Sequence, residues 1–290
     1  MVVGTHNYYA FIIGNLDFLY SIISSSPFYI YLILSEGKMK KTLIILFILI
    51  LVLVFTAMSN NTPRVIISNL SKAGEINPGE LRYQINLFGV LPVGEAIFAL
   101  EKQEEYEGRQ VYHLSATAKN LDIYSCLFNN YVVLDSYIDT QQFNPVLFKQ
   151  RMNIKGKGSI EKVISYDQSQ GVMSIAGVRR QILPNTQDPL SAMLNIKRMD
   201  FNKVKEWEMN INTNQKNYIL KGIATQQDII VNKKTYRIVL AKAQIKRRDK
   251  NPYHKSNISM VLLNEKENIP ILIKVFASGI LINAKLIDIR

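Results

Sequence analysis

A single cysteine, Cys126, three histidines and one tryptophan, Trp207, are all that 290 residues provide of those types. One thiol cannot close an intramolecular disulfide, form a CxxC redox pair or build a cysteine zinc site, so Cys126 reads as a small buried hydrophobe. Without HExxH, GxSxG, a Walker loop or GxGxxG, the zinc-protease, hydrolase and nucleotide-binding classes lack their mechanical parts. His113 lies in the alternating stretch Val111, His113, Ser115, Thr117 and reads as a half-buried strand residue rather than a base. No cofactor or metal is implied by these residues. A chain of this length can bury a sizeable core without staples.

The most specific feature present begins at Met39. Met39-Lys40-Lys41-Thr42 leads into the apolar run Leu43 to Phe55, followed by Thr56-Ala57-Met58-Ser59. A basic start, an apolar stretch and small residues Ala57 and Ser59 at the positions a signal peptidase reads make a signal-peptide layout, with cleavage expected before Asn60. The same segment, residues 42–58, just reaches the roughly 17 residues of a short spanning helix, so an uncleaved signal anchor in the inner membrane is the other reading. In both, Lys38, Lys40 and Lys41 stay inside and everything after Asn60 is delivered across the membrane, to the periplasm or cell envelope. Residues 1–38 carry Asn15, Asp17 and Ser24-Ser25-Ser26-Pro27 within an otherwise apolar stretch. They read either as an over-extended start, with Met39 the true one, or as the first helix of a hairpin.

The formal net charge is +12. Removing residues 1–59 takes away three basic and two acidic residues and leaves +11. Such a charge fits anionic lipid, glycolipid or acidic polymer, and equally a lysine-rich compositional bias. Two basic clusters stand out. Lys149, Arg151, Lys155 and Lys157 share strand parity over about 26 Å, and Lys246, Arg247, Arg248, Lys250 and Lys255 crowd a loop around Asn251-Pro252. They are candidate contacts for an anionic surface or, more simply, a solvated face and loop. Export removes nucleic acid as a partner.

Residues 60–78 read as a linker with an apolar patch at Val65-Ile66-Ile67. From Gly79 to Arg290 the pattern is alternation. Leu81, Tyr83, Ile85 and Leu87 share one parity, with Arg82, Gln84 and Asn86 on the other, and about a dozen such strands follow. Turns are expected at Pro92-Val93-Gly94 and Glu107-Gly108. One helix is predicted, Pro189 to Arg198: Asp188 is a good N-cap, Pro189 suits the first position, and Leu190, Met193, Leu194 and Lys197 recur at helical spacing. The expected fold is all-β and mainly antiparallel, a strongly curved sheet or partly open β-barrel with one packing helix, preceded by the N-terminal apolar helix.

Gly79-Glu80-Leu81-x-Tyr83, Gly94, Asp135-Ser136-x-x-Asp139 with Pro145, Tyr166-Asp167, Asp188-Pro189-Leu190-Ser191, and Pro270 followed by Gly279 together resemble the exported bacterial family known as domain of unknown function 3108. The resemblance covers most of 79–290. It implies a signal peptide and a β-rich fold similar to the open barrels that carry lipids or lipoproteins across the periplasm. It supplies no active site. The turn before Pro270 reads Asn264-Glu265-Lys266-Glu267 where the family pattern leads one to expect an aspartate, so no acidic role is carried over there.

Two functions follow as expectations. The first is a non-enzymatic envelope binding or assembly module that holds a lipid-like or amphipathic ligand, or a partner protein. Its apolar cavity would lie between the helix and the sheet, lined by Leu190, Met193 and Leu194 with Trp207 close by and the helix acting as a lid. A plain packed core is the competing reading. The second is an envelope hydrolase acting on glycan or lipid through carboxylates. Asp135 and Asp139 are the tempting pair, but four strand residues separate them by about 13 Å, against the roughly 5 to 9.5 Å of catalytic carboxyl pairs. Asp139 reads instead as a turn former ahead of Asn144-Pro145.

Overall fold

The computed structural model describes residues 66, 79–124, 131–154, 158–213, 216–248, 256–264, 267–277 and 279–289. The signal or anchor segment 39–59, residues 1–38, Cys126, Lys155, Lys157, Lys250, Lys255 and the Asn251-Pro252 loop lie outside them. No helix among the described residues is long and apolar enough to cross a membrane.

Fourteen antiparallel strands form one sheet: β1 (Glu80–Leu87), β2 (Leu91–Tyr106), β3 (Arg109–Asn120), β4 (Tyr131–Asp139), β5 (Pro145–Ile154), β6 (Gly158–Asp167), β7 (Val172–Ile175), β8 (Val178–Gln181), β9 (Glu206–Thr213), β10 (Lys216–Val231), β11 (Lys234–Arg247), β12 (Ser256–Asn264), β13 (Asn268–Ala277) and β14 (Ile280–Ile289). An α-helix, α1 (Pro189–Arg198), separates β8 from β9. In space the order runs β8 to β1, then β14 back to β9. Every strand therefore lies beside its neighbour in the chain except β8 and β9. The first and last strands, β1 and β14, pair with each other, and the sheet breaks where α1 is inserted.

That break leaves the barrel open. β8 has four residues and makes no ladder with β9; the two edges meet only through the segment that leads into α1, where the Gln187 amide donates to the Asn210 carbonyl (2.8 Å) and the Asn212 amide to the Gln187 carbonyl (2.9 Å). Side chains extend this seam, with Asn210 Nδ2 donating to the Pro184 carbonyl and Asn217 Nδ2 to that of Gln181. The Asn212 amide of the β9 edge is thereby satisfied without a continuous ladder.

The sheet curls around α1, which packs against β3, β4, β9 and β13 and so touches both halves. Leu190 and Leu194 join a core with Leu114, Leu134, Phe148 and Ile164, while Ala192 and Ile196 join a second with Trp207, Tyr218, Val239 and Met260. A third core beneath β1, β13 and β14 takes in Ile66, which is fully buried against it although it lies in the stretch that reads as linker. A helix buried on opposite sides is an internal element, not a lid lying over one face.

Two local differences from the sequence reading have physical causes. Pro92-Val93-Gly94 is strand, because the reversal happens earlier, at Phe88 (φ 51°) and Gly89 (φ 80°). Pro92 sits next to a shift in register between β1 and β2, the kind of position at which a strand tolerates proline. Strand β8 was illegible in Val178-Arg179-Arg180-Gln181, whose four residues are all exposed; it forms because Ala176 and Gly177, both at positive φ, fold it back on β7.

Candidate functional site: an apolar cavity beside the internal helix

The helix is fixed at its start. The Asp188 carboxylate, fully buried, accepts from the backbone amides of Leu190 (2.7 Å) and Ser191 (2.9 Å) and from Ser136 Oγ (2.5 Å) on β4, while the Ser191 hydroxyl accepts from the Asp188 amide (2.9 Å). Burial outweighs these bonds and pushes the Asp188 carboxyl up to about 6. Next to it in the chain, Gln187 ties the seam to the helix: its Nε2 donates to Asn144 Oδ1 (2.6 Å) and its Oε1 accepts from Asn195 Nδ2 (3.1 Å). Helix, seam and β4 are thus one hydrogen-bonded unit.

With α1 held there, the interior is not filled. Interior rows of β2, β3 and β14 carry Gly94, Ala96, Ala116, Ala118 and Ala284, aligned across the strands as Ala96↔Ala118, Ile85↔Gly94 and Ile85↔Ala284. Small side chains on adjacent strands leave room that leucines would occupy. A cavity of about 130 Å³ results, lined by these residues together with Tyr83, Phe98, Ile273, Leu190 and Met193, and its wall is almost wholly apolar. Ile85, Ala96, Phe98, Ile273, Ile282 and Ala284 face inward yet are only half-buried, since the surface they would give to a packed core is turned to this space. A second pocket of about 40 Å³ lies toward β10 to β12, and Pro189 and Met193 border both.

Two of the four residues expected to line such a space do so, Leu190 and Met193. Leu194 turns instead into the core with Leu114 and Leu134 and borders a polar cleft at the far end of the helix. Trp207 is not at the cavity. It lies on β9 against Gly222 of β10, where an added Cβ would meet its ring at 2.2 Å, and its Nε1 is buried with no acceptor among the described residues.

The basic candidates divide by strand parity. Lys149 lies with its Nζ 5.1 Å from the Tyr137 ring centroid, and Arg151 is 3.7 Å from Asp135. Lys246 and Arg248 are exposed, and Arg248 bonds Glu208 and Asn210; Arg247 is half-buried opposite the interior residue Tyr218. Adjacent strand residues face opposite sides, so the run 246–248 is not one patch.

Asp135 and Asp139 have separate partners. Asp135 Oδ1 lies 3.1 Å from His113 Nε2, with the His113 ring stacked on Tyr137 (4.6 Å between centroids) on the outer face. Asp139 Oδ1 accepts from the amides of Gln141 and Gln142 and caps its own turn. Among the described residues no group of three His, Cys, Asp or Glu side chains could hold a metal ion.

Sequence reasoning missed the alanine and glycine belt that makes the cavity, and it missed Lys197. This lysine is 4% exposed at the last turn of α1 and borders both the apolar cavity and the polar cleft. Its signal was in view, since it falls on the helical spacing of Leu190, Met193 and Leu194.

Fold and site define a class: an open, curled antiparallel sheet holding an apolar cavity against an internal helix. The chain belongs to the family described as protein of unknown function (DUF3108), which matches residues 82–279. A similar solved structure is the crystal structure of a β-barrel-like protein of domain of unknown function DUF1849 from Brucella abortus, at 10% identity and a TM-score of 0.52, covering 74% of this chain and 99% of that one. No curated protein matches the chain.

Proposed function

We propose that this is a non-enzymatic binding or assembly protein of the cell envelope, delivered across the membrane by the segment 39–59 and either released by cleavage near Ser59 or tethered by residues 42–58. It holds a lipid-like or amphipathic ligand in the cavity between α1 and the β1–β4 and β13–β14 wall. The observation that carries this reading is the cavity itself: a belt of glycine and alanine opposite a capped, immobilised helix keeps about 130 Å³ unfilled. An apolar space of that kind in an ordered core lowers stability, so its retention is explained by what it accommodates.

The test is to add bulk where alanine makes room. Ala284→Leu should leave the fold intact and weaken binding of hexanol, a chain the cavity can take, by about tenfold or more, the equivalent of roughly 1.4 kcal/mol of lost contact. The same substitution should raise the melting temperature of the empty protein, because it fills a void. Saturable binding that Ala284→Leu leaves unchanged, or no binding by the wild type together with no co-purifying lipid in native mass spectra, would overturn the reading. Hydrolysis of an envelope glycan or lipid, abolished by Asp135→Asn with the fold intact, would favour the carboxylate hydrolase instead.

A further inference from the structure

The apolar cavity has a cation at its border. Lys197 belongs to the cavity wall together with Phe98, Leu190 and Met193, and its Nζ lies 6.0 Å from the Phe98 ring centroid. It also belongs to the wall of the polar cleft, about 560 Å³, whose other polar residues include Arg198, Asp200, Asn202, Asn264 and Asn268. Among the described residues its ion-pair partner is Glu267, at 3.3 Å. The two partners differ in setting: the lysine side chain is 5% exposed and that of Glu267 50%. The backbone beneath is held in place, for Asn268 Nδ2 donates to the carbonyls of Lys197 (3.1 Å) and Met199 (2.7 Å).

A buried ammonium is costly unless paired, and Lys197 has three donors. Glu267 is half in water and can leave without desolvation, whereas Lys197 cannot leave the wall. An anion arriving from the cleft would therefore replace a mobile partner at a fixed site, with its apolar part already beside the cavity.

We propose, resting on the binding function above, that the ligand is a short single-chain amphiphile with an anionic head, its chain of about six carbons in the alanine-lined cavity and its carboxylate or phosphate in the cleft against Lys197 Nζ, with Glu267 displaced. The lysine is a specificity determinant that selects head-group charge, and the cavity selects the chain. Charge-assisted hydrogen bonds at such a site correspond to about tenfold or more in affinity.

The experiment measures, by isothermal titration calorimetry on the purified protein, the binding of hexanoic acid, hexyl phosphate and hexanol, which share a chain length that the cavity can take and differ in the head. Wild type should bind the acid or the phosphate about tenfold more tightly than the alcohol, and whichever anion is preferred identifies the head group. Lys197→Met keeps the apolar stem, and should equalise the three while still binding hexanol, which shows that it is folded. Glu267→Gln, at a half-exposed position, should tighten anion binding by removing the competitor and leave the alcohol unchanged. Equal binding of acid, phosphate and alcohol by the wild type overturns the head-group assignment but leaves the cavity reading standing. A preference that survives in Lys197→Met, or, if that variant does not fold, an affinity unmoved by Glu267→Gln, also overturns it. Failure of all three compounds to bind would sink both.

Discussion

Asp188→Ala should destabilise the domain by about 4 kcal/mol and lower its melting temperature by about 10 °C. The carboxylate serves two helix amides and the Ser136 hydroxyl from a fully buried position, so alanine orphans three donors at once and unties α1 from β4. Loss of an exposed cap would cost only about 1 kcal/mol; the rest is the penalty of donors left without water or partner. The Tyr166 hydroxyl, also buried and close enough to feel this charge, has no partner among the described residues to take over. Thermal melts followed by circular dichroism check the figure, and a loss below about 1 kcal/mol would show that the site relaxes or floods.

The same residue makes stability depend on pH. Burial raises the Asp188 carboxyl from 3.8 to about 6, a difference corresponding to about 3 kcal/mol. Because the folded value lies above the unfolded one, the group contributes stability in full below about pH 4 and loses that contribution as pH rises to about 6. Asp188→Asn keeps an acceptor for the two amides and cannot titrate. Its melting temperature should therefore lose the decline across pH 4 to 6 that the wild type shows, and an unchanged pH profile would mean that another group is responsible.

Gly222→Ala should cost about 2 to 3 kcal/mol, large for the addition of one methyl group. The methyl would meet Trp207 Cε2 and Cζ2 at 2.2 Å and Nε1 at 2.7 Å, and the tryptophan is 8% exposed in the core formed by Tyr218, Leu220 and Ala243. Neither side can yield easily, since Gly222 and Trp207 are directly paired across β9 and β10. Trp207→Leu alone should also destabilise, because it empties the space above Gly222. Combined with Gly222→Ala it should cost less than the two added together, the double-mutant signature of a shared contact. Simple additivity would show that the ring swings away instead. Glycine is required here by close approach, as at Gly94, where a Cβ would meet the Lys119 carbonyl oxygen at 2.6 Å.

Most strands were legible because one face of each is wet, which prints a period of two on residues such as Leu81, Tyr83, Ile85 and Leu87. Helix α1 was legible for another local reason: cap, proline and apolar spacing lie within eleven residues, and all take part in the structure. What failed was whatever depended on a partner distant in the chain. Pro92-Val93-Gly94 has turn composition, yet register with β1 keeps it in a strand. Trp207 was placed at the cavity on strand parity alone, and parity says which face a residue takes but not what lies opposite; only the alignment of β9 with β10 sets it on Gly222. The basic run 246–248 looked like a cluster in one dimension and is split between two faces by the pleat.

The sequence by itself determined the strand-rich, mainly antiparallel character of residues 79–290, the position and cap of the helix Pro189–Arg198, and the family, because those depend on local propensity, periodicity and motif order. Only the tertiary structure decided that β1 pairs with β14, that the break falls at the helix rather than at the termini, and that α1 lies inside the curl. It also decided that the alanines of β2, β3 and β14 align into one void with Lys197 on its border. A void exists only where small residues from separate strands meet, and a buried charge is recognisable only once its surroundings are closed. Both are properties of register and curvature, set by contacts among strands up to the whole length of the domain apart.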